Sequence, residues 1–155
     1  MSKSLKRVQR ALTEAGLPDT TIEAGEARTA EQAATACGCA LDQIVKSILF
    51  AGQDSGAVRL FLTAGGNRVC ADKASALAGE SLMRADGQLV RATTGFAIGG
   101  VSPVGHLTPS PIWMDPRLMA FETVWAAAGT PRHVFSIAPQ ALTTLTSATL
   151  ADFVE

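Results

Sequence analysis

Two apolar runs joined by a short polar turn constrain this chain most. Ile44-Val45-Lys46-Ser47-Ile48-Leu49-Phe50 is rich in β-branched and large apolar residues. Gly52-Gln53-Asp54-Ser55-Gly56 reads as a turn, and Ala57–Thr63 as the partner strand. Such a pattern predicts an antiparallel hairpin. Strand alternation places Ile44, Lys46, Ile48 and Phe50 on one face and Val45, Ser47 and Leu49 on the other. Both faces are largely apolar, so Lys46 has no evident solvent side. Burying an ammonium is costly unless it finds a partner. Two readings stand. Lys46 either guards a strand edge or snorkels to water, or it lines a pocket and meets an anion or a polarised carbonyl.

Around this hairpin the sequence predicts short, mixed elements. Ser4 is placed to cap a first helix with Leu5, Val8 and Leu12 on its apolar face, ended by Gly16 and Pro18. A short strand is expected over Thr20–Glu23. Thr29-Ala30-Glu31-Gln32 fits a capping box for a helix to about Ala36, closed at Cys37-Gly38-Cys39. Ala64-Gly65-Gly66-Asn67 reads as a turn. Asp72 opens a short helix, Lys73–Ala78, that Gly79 ends, and Ala85–Thr93 is a further helix. Pro111–Met114, Thr123–Ala128 and Val134–Ile137 read as strands, the first two separated by an Asp115-Pro116 turn. Pro139–Leu145 is a closing helix. The mixture defines an α+β domain occupying residues 1–155 without repeat or linker.

Composition narrows the function classes. The chain has 155 residues and a net charge of -1, so it lacks the basic excess of a general nucleic-acid coat protein. It has no apolar run of membrane-spanning length and no signal-peptide pattern. Three cysteines do not make a disulfide framework, and a reduced, cytoplasmic setting is expected. Charged residues are 17% and aromatics 5%, with no tyrosine, so the chain is built from small side chains and offers no base-stacking stripe.

A second chemical feature is Gly99-Gly100-Val101-Ser102-Pro103-Val104-Gly105-His106. Its glycines and proline impose an unusual backbone path and would let a ligand approach main-chain N–H groups. Taken alone, it reads as a connecting turn. It is not a phosphate-binding Walker loop, since no Gly-Lys-Ser/Thr follows. His106 and His133 are the only histidines, and no spacing suits a metal site. Cys37, Cys39 and Cys70 read as small buried residues.

Together these pieces resemble the YbaK/EbsC family of aminoacyl-tRNA deacylases, related to the editing domain of bacterial prolyl-tRNA synthetases. The strand carrying Lys46, the segment Thr94–His106, Ala128-Gly129 and the closing Leu142–Thr146 occur in the family's order. The resemblance covers about Leu5 to Val154. It implies a single α+β domain with a mixed, mainly antiparallel, barrel-like sheet and surrounding helices. It implies that Lys46 is catalytic and that Gly99, Gly100, Ser102, Pro103, Gly105, His106, Gly129 and His133 bind the aminoacyl group and terminal adenosine. His133 is similar to a histidine of the alanine-editing branch. No cofactor or metal is implied. The expected partners are the acceptor end of aminoacyl-tRNA and a prolyl-tRNA synthetase. The expected activity is hydrolysis of the ester on mischarged tRNA(Pro) carrying Ala, Cys, Ser or Thr. The competing class is a non-catalytic module that uses the same pocket for a nucleotide or aminoacyl analogue, or docks on a synthetase.

Overall fold

The computed structural model describes residues 2–155. In chain order the elements are α1 (Lys3–Glu14), β1 (Ile22–Glu23), α2 (Ala30–Cys37), β2 (Ile44–Gly52), β3 (Val58–Ala64), α3 (Ala71–Ala78), β4 (Leu82–Arg84), α4 (Gly87–Thr94), β5 (Ile112–Met114), β6 (Val124–Ala127), β7 (His133–Ile137), α5 (Pro139–Thr146) and β8 (Thr149–Leu150). Short 3-10 turns cover Leu41–Gln43 and Pro116–Ala120.

The expected hairpin is the centre of the sheet. β2 and β3 pair antiparallel from Val45 opposite Ala64 to Ala51 opposite Val58. The far edge of β3 takes β5 in parallel, and β8 follows β5. The other edge of β2 is divided. β6 pairs with it in parallel at Ile44 and Val45, and β4 pairs antiparallel from Phe50 to Gly52. The sheet order is β1-β7-β6-β2-β3-β5-β8, with β4 as the branch on β2. The sheet is thus mixed, with four antiparallel and three parallel ladders.

Alternation along the hairpin separates two cores. Val45, Leu49, Leu60 and Leu62 pack with Leu5, Val8 and Leu12 of α1 and with Val90 of α4. Phe50 and Phe61 face the opposite side with Ala74, Leu82 and Phe153. There Phe61 stacks on Trp113 at 5.1 Å and meets Phe153 edge-on at 5.0 Å. Burying each large apolar side chain contributes about 1.5–3 kcal/mol. Lys46 shares a face with the second core but lies at its margin, opposite the buried Thr63.

Local signals held with small shifts. α1 starts earlier than expected because Ser2, not Ser4, is its cap: the Ser2 hydroxyl accepts from the Ser4 and Leu5 N–H groups. Thr29 caps α2 by accepting from Gln32 N–H, while the Gln32 side chain accepts from Arg28 N–H, one residue before the cap. α4 begins at Gly87 rather than Ala85. Asp86 caps it, and Ala85 N–H is drawn into the sheet by Leu49 O at 3.1 Å. The strand β4 was not expected, since three residues with two of them exposed carry no readable period. The Asp115-Pro116 turn lengthens into the 3-10 turn Pro116–Ala120.

Glu80 clamps the hairpin turn. Its carboxylate accepts from the Ser55 hydroxyl at 2.6 Å and from the Asp54 and Ser55 N–H groups, and it pairs with Arg59 at 2.9 Å. The Ser55 hydroxyl is the largest influence bringing its pKa to about 2 from an ordinary 4.5. Because the folded value lies below the unfolded one, this stabilisation is complete above about pH 4.5 and is lost as pH falls toward 2. Glu80→Gln is therefore expected to lower the urea midpoint at pH 7, with the gap to wild type closing between pH 4.5 and 2. A constant gap across that range contradicts the assignment.

Candidate functional site

Pairing on the divided edge of β2 stops at Val45 and resumes at Phe50, with one bond from Ala85 N–H to Leu49 O in between. Lys46, Ser47 and Ile48 therefore have no partner strand on that side. Leu49 O points to this edge, so the main chain of Ser47, two residues earlier, points the same way. β4 and β6 diverge here and leave a cleft of about 380 Å³. That is a volume typical of small-ligand sites.

The cleft walls come from several elements: α2 and the loop before it, the β2 edge, Arg84 and Ala85, Val90 of α4, the 98–101 segment, β6, and the turn at Thr130–His133. Six alanines, at 27, 30, 33, 85, 126 and 127, line it. Larger apolar side chains, among them Ile48, Leu49, Ile98 and Trp125, complete the wall. Its charged lining residues are Arg28, Lys46 and Arg84, and no carboxylate lines it. Arg28 is ion-paired with Glu26 at 2.9 Å, so the cationic character of the cleft rests on Lys46 and Arg84, which have no ion-pair partner among the described residues. Such concentration of one sign in a concave site favours an anionic ligand.

Lys46 donates to Asn67 O. An ammonium has three protons, and no other acceptor lies within bonding distance of Nζ among the described residues. Burial is the largest influence on this group and lowers its pKa, with Arg68 acting the same way, while Glu31, Asp115 and Asp42 oppose the shift. The hydroxyl of Ser47 is buried without a hydrogen-bond partner. Among the described residues no three His, Cys, Asp or Glu side chains converge as a metal site would require.

Of the residues singled out in the sequence, Lys46, Gly99 and His133 reach the cleft wall together. Gly100, Ser102, Pro103, Gly105, His106 and Gly129 stand behind that wall. Ser102 is fully buried and its hydroxyl accepts from Val104 N–H. His106 Nε2–H donates to Ser102 O at 2.6 Å, its ring lies edge-on to Phe96, and burial lowers its pKa. Arg7 of α1 ties the same segment down: it donates to Gly105 O and Thr94 O and lies over the Phe96 ring. Gly129 packs against Ser4 of α1. Gly100 has a tighter requirement. A Cβ there would fall 2.8 Å from the Thr130 backbone, so glycine lets the 98–101 segment touch the turn that carries His133. In that turn His133 Nδ1 and Thr130 Oγ1 are 2.7 Å apart. Arg28 and Arg84 escaped the sequence reading because each is an ordinary surface arginine until the fold brings it to the rim.

The sequence matches the aminoacyl-tRNA editing domain family over residues 24–145. The chain belongs to that family. Among curated proteins it is 30% identical over 124 residues to the uncharacterized protein YwhH of Bacillus subtilis (strain 168), covering 80% of this chain and 78% of that one. Among solved structures it is similar to a candidate trans-editing enzyme for prolyl-tRNA synthetase, at 46% identity and a TM-score of 0.93, covering 100% of this chain and 99% of the other. It is also similar to the hypothetical protein APE2540, at 25% identity and a TM-score of 0.88, covering 96% and 99%. No helix among the described residues is long and apolar enough to cross a membrane.

Gly100→Ala is expected to push the two segments apart at a cost of about 1–3 kcal/mol. The measurements are a denaturant midpoint and the imidazole resonances of His133. Unchanged stability with unmoved His133 signals contradicts the packing role.

Proposed function

We propose that this protein is a trans-editing hydrolase that cleaves the ester of mischarged aminoacyl-tRNA carrying a small amino acid, with tRNA(Pro) as the preferred carrier. One observation carries the reading: a lysine ammonium with unused protons lies in a mainly apolar cleft that no carboxylate lines. The tRNA preference draws on the name of the 46% identical relative, a candidate trans-editing enzyme for prolyl-tRNA synthetase.

An aminoacyl ester is already activated toward water, so the protein's task is to hold the carbonyl, admit a water and stabilise the oxyanion. Water oxygen attacks the carbonyl carbon, and negative charge gathers on the carbonyl oxygen as the tetrahedral intermediate forms. The C–O bond to the terminal ribose then breaks. The ribose oxygen takes one proton of the attacking water and leaves as a hydroxyl, the second proton passes to solvent, and the amino acid departs as a carboxylate. Lys46 supplies a localised positive charge for the oxyanion and acts as an ammonium rather than a nucleophile. Arg28 and Arg84 at the rim meet backbone phosphates of the acceptor end. Gly99, with Gly100 behind it, shapes the wall that the aminoacyl group meets, and His133 offers it a polar contact. Ser102, Pro103, Gly105, His106 and Gly129 support that wall.

In the proposed reaction the site acts as a sieve. A small pocket rejects a larger side chain by overlap, whereas one methylene of missing contact gives only about 1–3 kcal/mol against a smaller one. The preference for small amino acids is part of the proposal, and the deacylation panel below, extended to Pro-tRNA(Pro), tests it.

Deacylation of Ala-, Cys-, Ser- and Thr-tRNA(Pro) tests the reading. Wild type is expected to hydrolyse at least one, and Lys46→Ala to slow that reaction by about 100-fold or more with an unchanged denaturant midpoint. The rate is expected to fall on the alkaline side as pH rises through the lowered pKa of Lys46, because the ammonium is the active form. Full activity of Lys46→Ala removes Lys46 from the mechanism. Binding without turnover on every substrate favours a non-catalytic module. Affinity for uncharged tRNA is expected to be weak and salt-sensitive, and tight binding at high salt contradicts the few-cation rim.

A further inference from the structure

The turn Ala64–Asn67 holds the acceptor that Lys46 uses, and its construction is more elaborate than a connection needs. Asn67 N–H closes it on Ala64 O at 2.9 Å. A Cβ on Gly65 would overlap Leu41 O, and one on Gly66 would overlap the Asp42 carboxylate. The glycine pair thus lets the turn lie directly against the 3-10 turn Leu41–Gln43. There Gly66 N–H donates to Asp42 Oδ1 at 2.9 Å. Asp115 grips the turn from the other side and is 2% exposed. Its Oδ2 accepts from Ala64 N–H at 3.1 Å and from Asn67 Nδ2 at 2.8 Å, and its Oδ1 accepts from Arg117 N–H at 3.0 Å. Arg117 Nε then donates to Asp42 Oδ2 at 2.9 Å, which closes the ring of contacts.

The Asp115 carboxylate gives the Ala64 and Arg117 N–H groups the acceptors that main chain needs, and its further bond to the Asn67 side-chain amide is one that closing the turn does not require. Its product is a fixed carbonyl. We propose that Asp115 and Asn67 are positioning residues for Lys46: they hold the Asn67 carbonyl where it takes one ammonium proton and leaves the other two for the cleft. The proposal rests on the reading that Lys46 acts on the substrate.

The same groups set the charge around Lys46. Glu31 faces it from α2, Asp42 from the 3-10 turn, Asp115 from the end of β5, and Arg68 from beside Asn67. The three carboxylates favour the ammonium, and Arg68 and burial oppose it. Loss of the Asp115 charge, or of the pinned carbonyl, therefore lowers the titration midpoint of Lys46.

The chain has only four lysines, Lys3, Lys6, Lys46 and Lys73. Each can be followed by NMR of 13Cε-labelled lysine, with Lys46→Arg assigning the signal. Asn67→Ala and Asp115→Asn are each expected to move the Lys46 midpoint to lower pH and leave Lys3, Lys6 and Lys73 in place. On the tRNA that wild type deacylates, both are expected to reduce kcat by about tenfold or more with KM little changed. Asn67→Ala keeps the Asp115 bonds to Ala64 and Arg117, so the test stands if Asp115→Asn fails to fold. A folded Asn67→Ala protein with a wild-type Lys46 midpoint and wild-type kcat overturns the proposal. If wild type deacylates nothing, the proposed reaction falls, and the Lys46 midpoint alone decides whether these residues position it: a shift retains the positioning and no shift overturns it.

Discussion

The interrupted edge of β2 is the constraint on which the rest depends. A central strand normally pairs along both sides, because buried main-chain N–H and C=O groups need partners. Here β6 serves the first two residues and β4 the last three, and they approach from different parts of the chain in opposite directions. The unpaired stretch between them is too short to admit another strand. It is wide enough to become a cleft floored by a rigid, central element. A site built on such an element holds its side chains more exactly than one built on loops.

This placement explains why a lysine occupies an otherwise apolar strand. Within a continuous sheet Lys46 would need a buried partner on every side. At the interruption its Nζ meets one carbonyl on the protein side and the cleft on the other. The fold tunes its surroundings from both directions, since burial weakens the ammonium and nearby carboxylates restore it. The glycine-rich segment contributes differently from a phosphate-cradling loop. Much of it is buried and fastened to α1 by Arg7, and it presents Gly99 and Val101 to the cleft. Its glycines mainly allow close packing, with Gly100 against Thr130 the clearest case.

What could be read from the sequence follows from how local each cause is. The hairpin was legible because two dense apolar runs flank a polar turn. Helix boundaries were legible where one side chain caps one N–H, as at Thr29, and slipped where a nearer cap competed, as Ser2 did with Ser4. Lys46 was visible as a charge without a solvent face. The cationic rim was not visible, because Arg28 and Arg84 are distant in sequence and unremarkable individually. Nor was the role of Asp115, which read as the start of a turn. Only tertiary structure brings its carboxylate to Ala64 and Asn67, about fifty residues away. The division of the β2 edge was equally hidden, since β4 is too short to leave a pattern.

The central claim is that the interruption in β2 is where an aminoacyl ester meets the Lys46 ammonium. A crystal structure with a non-hydrolysable 3′-aminoacylamino adenosine carrying alanine tests it most directly. The analogue is expected in the gap between β4 and β6, its acyl oxygen about 2.7–3.2 Å from Lys46 Nζ and its side chain against the alanine lining. An analogue seated elsewhere, or one in the cleft with its acyl oxygen out of reach of Lys46, contradicts it.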